Sequence, residues 1–259
     1  MNRILKKLSS VIYLVLIWQT VCAQSLITPD IDGKGKTVIL TFDDASQSHY
    51  GVIPQMLKPY NFGATFYVCE FPPDFADSTK YMNWGQIQAL SQMGYEIGNH
   101  TWHHRNVAEL KPQELDAELT YIEEKCKELG IPKPQAFAYP GYTTDSAAIP
   151  VLKKHGYLTA RTGGDKPWQP AIDHPFYVPS FTIKGNDPAY FYNALKQATT
   201  DNAIIFCVHG VPDNAHDWVN TSPEVFKTYL QYLHSHHFKV VSMAEYVKQR
   251  KSLFNNKKF

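Results

Sequence analysis

Thr37-Val38-Ile39-Leu40-Thr41-Phe42-Asp43-Asp44 reads as a strand that stops on two carboxylates. Its first six residues are apolar or β-branched, which predicts a buried strand. Charge is costly to bury unless it is paired or bound to a metal. No basic residue stands beside this pair. Asp43 and Asp44 therefore mark either a solvated turn, which Asp favours, or a site. The partners supplied by the rest of the chain decide between the two.

Similar short apolar runs recur at 63–68, 95–99, 136–139, 158–161, 181–183, 203–208 and 239–242. Continuous apolar runs of this length suit strands buried on both faces of a parallel sheet. Helical patterns lie between them, at 84–93, 112–129, 146–154, 187–199, 223–237 and near 244–251. The clearest is 112–129, where Leu115, Leu119, Ile122, Cys126 and Leu129 recur every three to four residues. Pro112 suits its first turn and Gly130 its C-terminal cap. Strand and helix in alternation predict parallel βαβ units. Seven or eight such units favour an α/β barrel over the doubly wound open sheet, the second choice. No glycine-rich phosphate loop points to a nucleotide.

Arg3, Lys6 and Lys7 precede an apolar run, Val11 to Trp18, which is followed by Val21-Cys22-Ala23. This is the pattern of a secretory signal peptide over 1–23, too short for an ordinary membrane span. An uncleaved anchor is the weaker reading, and Gln19-Thr20 before Cys22 does not resemble a lipobox. An exported protein, periplasmic or extracellular, is expected, with no stable membrane insertion after cleavage. A short segment, 24–35, then leads into a domain over 36–252 and a tail over 253–259. Losing 1–23 removes three cations and changes the formal charge from +1 to −2. That balance gives no reason to expect nucleic acid. Cys69, Cys126 and Cys207 remain, an odd count in apolar surroundings, and core packing is their expected role. With no CxxC pair, a thiolate zinc site is not expected.

The polar residues fall where the strands end. Asp43 and Asp44 end the first run, Asn99 and His100 the third, Tyr139-Pro140-Gly141 the fourth and Arg161 the fifth. His209 follows the seventh. In α/β barrels that end of the strands carries the chemistry. His100 and His104, four apart, can turn both imidazoles to one metal ion. Asp44 is the natural third ligand, which leaves coordination positions open for water and substrate. Asp43 would then lie near the metal but off it, placed to accept a proton as general base. His209 is placed to donate one to a leaving group. Each of these features alone has a plain structural reading: a His-rich surface for 100–104, a packed histidine for 209, a surface ion pair for Arg161.

Taken together, they resemble the polysaccharide deacetylase family, the NodB-homology or carbohydrate esterase 4 group. Thr41-Phe42-Asp43-Asp44 matches its first motif and His100-Thr101-Trp102-His103-His104 its second. Phe206-Cys207-Val208-His209 matches its last more loosely. Gly63-Ala64-Thr65-Phe66-Tyr67 and Gly94-Tyr95-Glu96-Ile97-Gly98-Asn99 fit around them. The resemblance runs from about residue 36 to 242. It implies a distorted (β/α)7 barrel and a divalent metal, usually zinc, held by Asp44, His100 and His104. Asp43 would be the base and His209 the acid. The implied reaction is hydrolysis of acetyl groups on an acetylated glycan, with an oxyanion N–H from Gly141 or Tyr142.

Two departures stand out. Where the family carries an Arg that tethers the base, this chain has Ala138, and Arg161 is the candidate replacement. The Asp and Trp of the fourth motif are also indistinct. Asp165, Trp168 and Asp213 are candidates, and Phe206 takes the place of the leucine lining the acetate pocket. Of the aromatics Trp84, Trp102, Trp168 and Trp218, Trp102 and Trp168 are expected to stack on sugar. The expected activity is N-deacetylation of an amino-sugar glycan: peptidoglycan, chito-oligosaccharide or exopolysaccharide. An O-acetyl xylan esterase and a non-catalytic glycan-binding relative are the alternatives.

Overall fold

The computed structural model describes residues 28–250 apart from Asn186. The expected signal peptide and the tail lie outside these residues. All eight apolar runs form strands, trimmed by at most two residues. They are β1 Thr37–Phe42, β2 Thr65–Val68, β3 Glu96–Asn99, β4 Ala136–Ala138, β5 Thr159–Arg161, β6 Phe181–Thr182, β7 Ala203–Val208 and β8 Lys239–Val241. The helices are α1 Ser48–Gly51, α2 Ile53–Leu57, α3 Trp84–Gln92, α4 Pro112–Glu128, α5 Ala148–His155, α6 Pro188–Leu195, α7 Pro223–Ser235 and α8 Met243–Gln249. The sequence pattern does not reveal α1 and α2. Gly51 and Pro54 break that stretch into pieces too short to show a helical period.

Every strand pairing in the sheet is parallel. The order runs β5-β4-β3-β2-β1-β7-β6, with β8 also on β1. One edge of β1 pairs with β7 along its whole length. The other is shared: β8 takes Thr37 to Ile39, and β2 takes Thr41 and Phe42. At the far end Arg161 bridges to Val178 in parallel, and the same segment runs on into β6, which pairs with β7. The ladder thus returns to β1, as in a distorted (β/α)7 barrel. Closure removes the exposed strand edges an open sheet would leave.

Side chains alternate between the two faces of each strand. Val38, Leu40 and Phe42 pack outward with the helices, beside Ile204, Phe206 and Val208 of β7. Ile39, Tyr67, Ala136, Ala138, Ala203 and Ile205 fill the interior, with Trp168 and Met243. Continuing that alternation, residues 43, 100, 161, 207 and 209 fall on the interior side. Gly98 is required there, since a Cβ at 98 would lie 2.4 Å from the Tyr67 ring.

Helix α4 buries Leu115, Leu119, Ile122 and Cys126 on the stripe its sequence predicts. Each such side chain stabilises by about 1.5–3 kcal/mol, well above any difference in helix propensity. Among the described residues no helix is long and apolar enough to cross a membrane. Cys69, Cys126 and Cys207 are buried free thiols.

Candidate metal and catalytic centre

Asp43 and Asp44 lie just past the end of β1 and are 2% and 5% exposed. They are therefore not a solvated turn. Asp44 and Ala45 have left-handed backbone, φ 75° and 52°, which turns consecutive carboxylates in different directions. Thr101, His104 and Tyr142 share this strained region. Such residues cost roughly 1–3 kcal/mol each and cluster at functional sites.

Asp44 Oδ1 faces His100 Nε2 at 3.3 Å and His104 Nε2 at 3.4 Å. This oxygen is buried and has no hydrogen-bond partner. His100 Nδ1 donates to the Ala138 carbonyl at 2.8 Å, which aims Nε2 at the site. The three donor atoms lie within 4.8 Å of one another, a set that could hold a metal ion. Two imidazoles and a carboxylate, one imidazole oriented from behind, suit a divalent ion such as zinc. Burial works to raise the Asp44 carboxyl, but the nearby His100, His209 and His104 imidazoles hold it well below the usual range. Burial, with His100 nearby, draws His104 down to about 4 against the pull of Asp44. That leaves the neutral imidazole a metal requires.

Asp43 Oδ2 lies 3.7 Å from His100 Nε2 and accepts a hydrogen bond from Nη2 of Arg161. Arg161 is completely buried. It also donates to Ser180 Oγ at 3.2 Å and lies between the rings of Tyr67 and Tyr142, 5.3 and 5.5 Å from their centroids. Its register partner is Ala138. The guanidinium thus comes from the strand beside the position where the family motif carries it. Burial alone would raise the Asp43 carboxyl, but Arg161 first, then His100 and His209, bring it below its ordinary value.

His209 Nε2 faces Asp44 Oδ2 at 3.7 Å. Its carbonyl accepts a hydrogen bond from His49 Nε2 at 2.8 Å. Burial lowers His49 to about 4, so this support is a neutral imidazole. His49 belongs to α1, and its role was not legible in the sequence. His216 was also missed: its Nδ1 lies 3.9 Å from Asp44 Oδ2 and 3.5 Å from Asp213 Oδ1. Asp213 holds that loop by accepting from the backbone N–H of Gly210, Ala215 and His216. Asp165 is elsewhere and accepts from Tyr190.

These groups open into a cavity of about 330 Å³, lined also by Phe71, Gly141, Tyr142, Lys184 and Trp218. The aromatics expected to stack on sugar are placed differently. Trp168 is completely buried in the barrel interior. Phe206 packs on Phe191 on the helix side, ring centroids 4.9 Å apart. Cys207 takes the inward position instead, 3.3 Å from Asp43 Oδ2. Trp102 stacks on Tyr121 of α4. Trp84 donates to Glu70. Trp218 is the tryptophan at the cavity, 74% exposed. Strand alternation could have found Cys207 and excluded Phe206, since 207 and 209 share a face.

The chain is similar to proteins of known description. The chain is 26% identical over 136 residues to a peptidoglycan-N-acetylglucosamine deacetylase of Bacillus cereus, an alignment covering 51% of this chain and 59% of that protein. It thus spans little more than half of that relative. In fold it resembles PdaA of Bacillus subtilis, a family 4 carbohydrate esterase, with a TM-score of 0.58 at 21% identity over 85% and 84% of the two chains. It equally resembles a family 4 pseudoenzyme of Bacillus anthracis, with a TM-score of 0.56 at 16% identity over 83% and 66%. The polysaccharide deacetylase profile matches residues 30–160, which hold Asp43, Asp44, His100 and His104 but stop short of Arg161 and His209. With half the chain matched and the barrel shared, this protein belongs to the polysaccharide deacetylase family.

Proposed function

We propose that this chain is an exported, metal-dependent deacetylase that hydrolyses N-acetyl groups of an amino-sugar glycan, with zinc as the metal. The observation that carries this reading is the pairing of two different carboxylate environments. Asp44 faces His100 and His104 with an unpartnered oxygen. Asp43, the residue before it, is ion-paired with the buried Arg161 and lies 3.7 Å from His100.

Asp44, His100 and His104 would hold the ion, which when bound lowers the pKa of water from 15.7 to about 7 and polarises the acetyl carbonyl. Asp43 accepts the proton of the attacking water; the Arg161 ion pair keeps it ionised and fixes its direction. His209 donates a proton to the departing amine. The Tyr142 N–H already bonds the Tyr139 carbonyl at 3.0 Å, so Gly141, at the cavity wall, is the better oxyanion donor. Trp218 offers a face for a sugar ring. The apolar run over 11–18 and the cleavage pattern at 21–23 support export.

The test measures zinc content and acetate release from acetylated chito-oligosaccharide, peptidoglycan fragments and acetyl-xylan. Release from the N-acetylated glycans with bound zinc is expected. Release from acetyl-xylan alone would make it an O-acetyl esterase. Bound zinc with no release from any of them would make it a glycan-binding relative.

A further inference from the structure

The two ligand histidines are separated by Thr101, Trp102 and His103, and each end of this loop is strained. Thr101 and His104 have φ of 62° and 53°. Left-handed backbone at such residues persists only when surrounding structure over-determines it. Two carboxylates from elsewhere in the fold do so, and neither touches the ligand atoms.

Glu70, just past β2, grips Trp102 from both sides. Its backbone N–H donates to the Trp102 carbonyl at 2.6 Å, and its Oε2 accepts from the Trp102 indole at 2.8 Å. Its Oε1 accepts from the Trp84 indole at 2.7 Å and the Tyr121 hydroxyl at 2.9 Å. Tyr121 in turn lies flat on Trp102, ring centroids 3.8 Å apart. Glu118, on α4 and 4% exposed, grips the next residue. It accepts from the His103 N–H at 2.8 Å and faces His103 Nδ1 at 3.0 Å. The loop is thus tied to β2, α3 and α4 through the residues between its ligands. Hydrogen bonds to ionised acceptors are roughly twice as strong as neutral ones, so these ties can offset the strain.

We propose that Glu70 and Glu118 are positioning residues that brace the His100–His104 loop and thereby set the affinity of the metal centre. This rests on the metal reading given above. Without the brace, the loop must be ordered at the moment of metal binding, and that ordering subtracts from affinity. Outer partners of metal ligands typically account for about 10–100-fold in affinity.

The test is chelator competition with zinc alone, on the metal-free chain and its Glu118→Gln, Glu70→Gln and Trp102→Phe variants. Each Gln variant removes one of two carboxylate acceptors. Trp102→Phe keeps an aromatic ring to stack on Tyr121 and removes the indole N–H together with its five-membered ring. The thermal midpoint of each metal-free form is recorded alongside. The zinc Kd should rise about 10–100-fold, with kcat restored at saturating zinc. Folded variants that bind zinc as tightly as the parent, whatever their thermal midpoints, overturn the brace. Should Glu118→Gln not fold, the other two variants still decide. A parent chain that binds no zinc overturns the metal centre and the brace together. Acetate release is scored separately, so failure of the proposed activity is told apart from failure of the brace.

Discussion

Replacing Arg161 with Met keeps a buried, flexible side chain of similar length but removes the countercharge of Asp43. With the charges about 4 Å apart and an effective dielectric near 20, the pair interacts by about 4 kcal/mol. Breaking a buried pair from one side costs about 3–5 kcal/mol, because the other charge stays buried. Asp43 is only 2% exposed, so water cannot replace the guanidinium. The effect has a definite pH dependence. In the parent, the folded Asp43 carboxyl lies below its unfolded value of 3.8. Its contribution to stability is therefore complete above 3.8 and lost as pH falls through the lower folded value. In Arg161→Met, burial, the largest influence on this carboxyl, raises the folded value above 3.8. The variant then loses stability as pH rises through that range. Denaturant unfolding should show a deficit of about 3–5 kcal/mol at pH 7, narrowing as pH is lowered towards 3.8. The acid limb of the proposed deacetylation should move to higher pH. An equal deficit at both pH values, with the acid limb unmoved, would refute the reasoning, since only loss of packing would then remain.

Three further outcomes are expected. Asp43→Asn should lower turnover by about 10²–10⁴-fold, as loss of a general base does, while zinc content stays unchanged; retained turnover removes the assignment. Trp218→Ala should raise KM about 2–10-fold with kcat unchanged, from a ring contact of about 0.5–1.5 kcal/mol; an unchanged KM places the sugar elsewhere. Burial raises the thiols of Cys69, Cys126 (to about 12) and Cys207. A thiol reagent at pH 8 should label none of the three before unfolding, and labelling of folded Cys207 would contradict the closed barrel interior.

The eight strands were legible because each is a short, mostly apolar run, information carried within six residues or fewer. The candidate ligands His100 and His104 were legible because both sit in one short loop. Asp43 and Asp44 stood out because adjacent acids ending an apolar strand need partners.

What the sequence left open or missed depends on which strands become neighbours and which face a residue occupies. Arg161 reaches Asp43 across 118 residues only because β5 pairs with β4, putting Arg161 beside Ala138. His49 and His216 arrive from a short helix and a loop whose sequences carry no period. Trp102, Trp168 and Trp218 are the same residue type in similarly polar stretches. One became a handle on the 100–104 loop, one a plug in the barrel and one an exposed face at the cavity. The sequence by itself determined the strands, the 100–104 loop with its two histidines and the pair of acids, because local pattern and hydrophobicity specify these. Tertiary structure alone decided that Arg161 meets Asp43, that Cys207 rather than Phe206 faces inward, and that Trp218 borders the cavity. Barrel closure and strand pairing bring distant residues to a common mouth, and no local pattern encodes that.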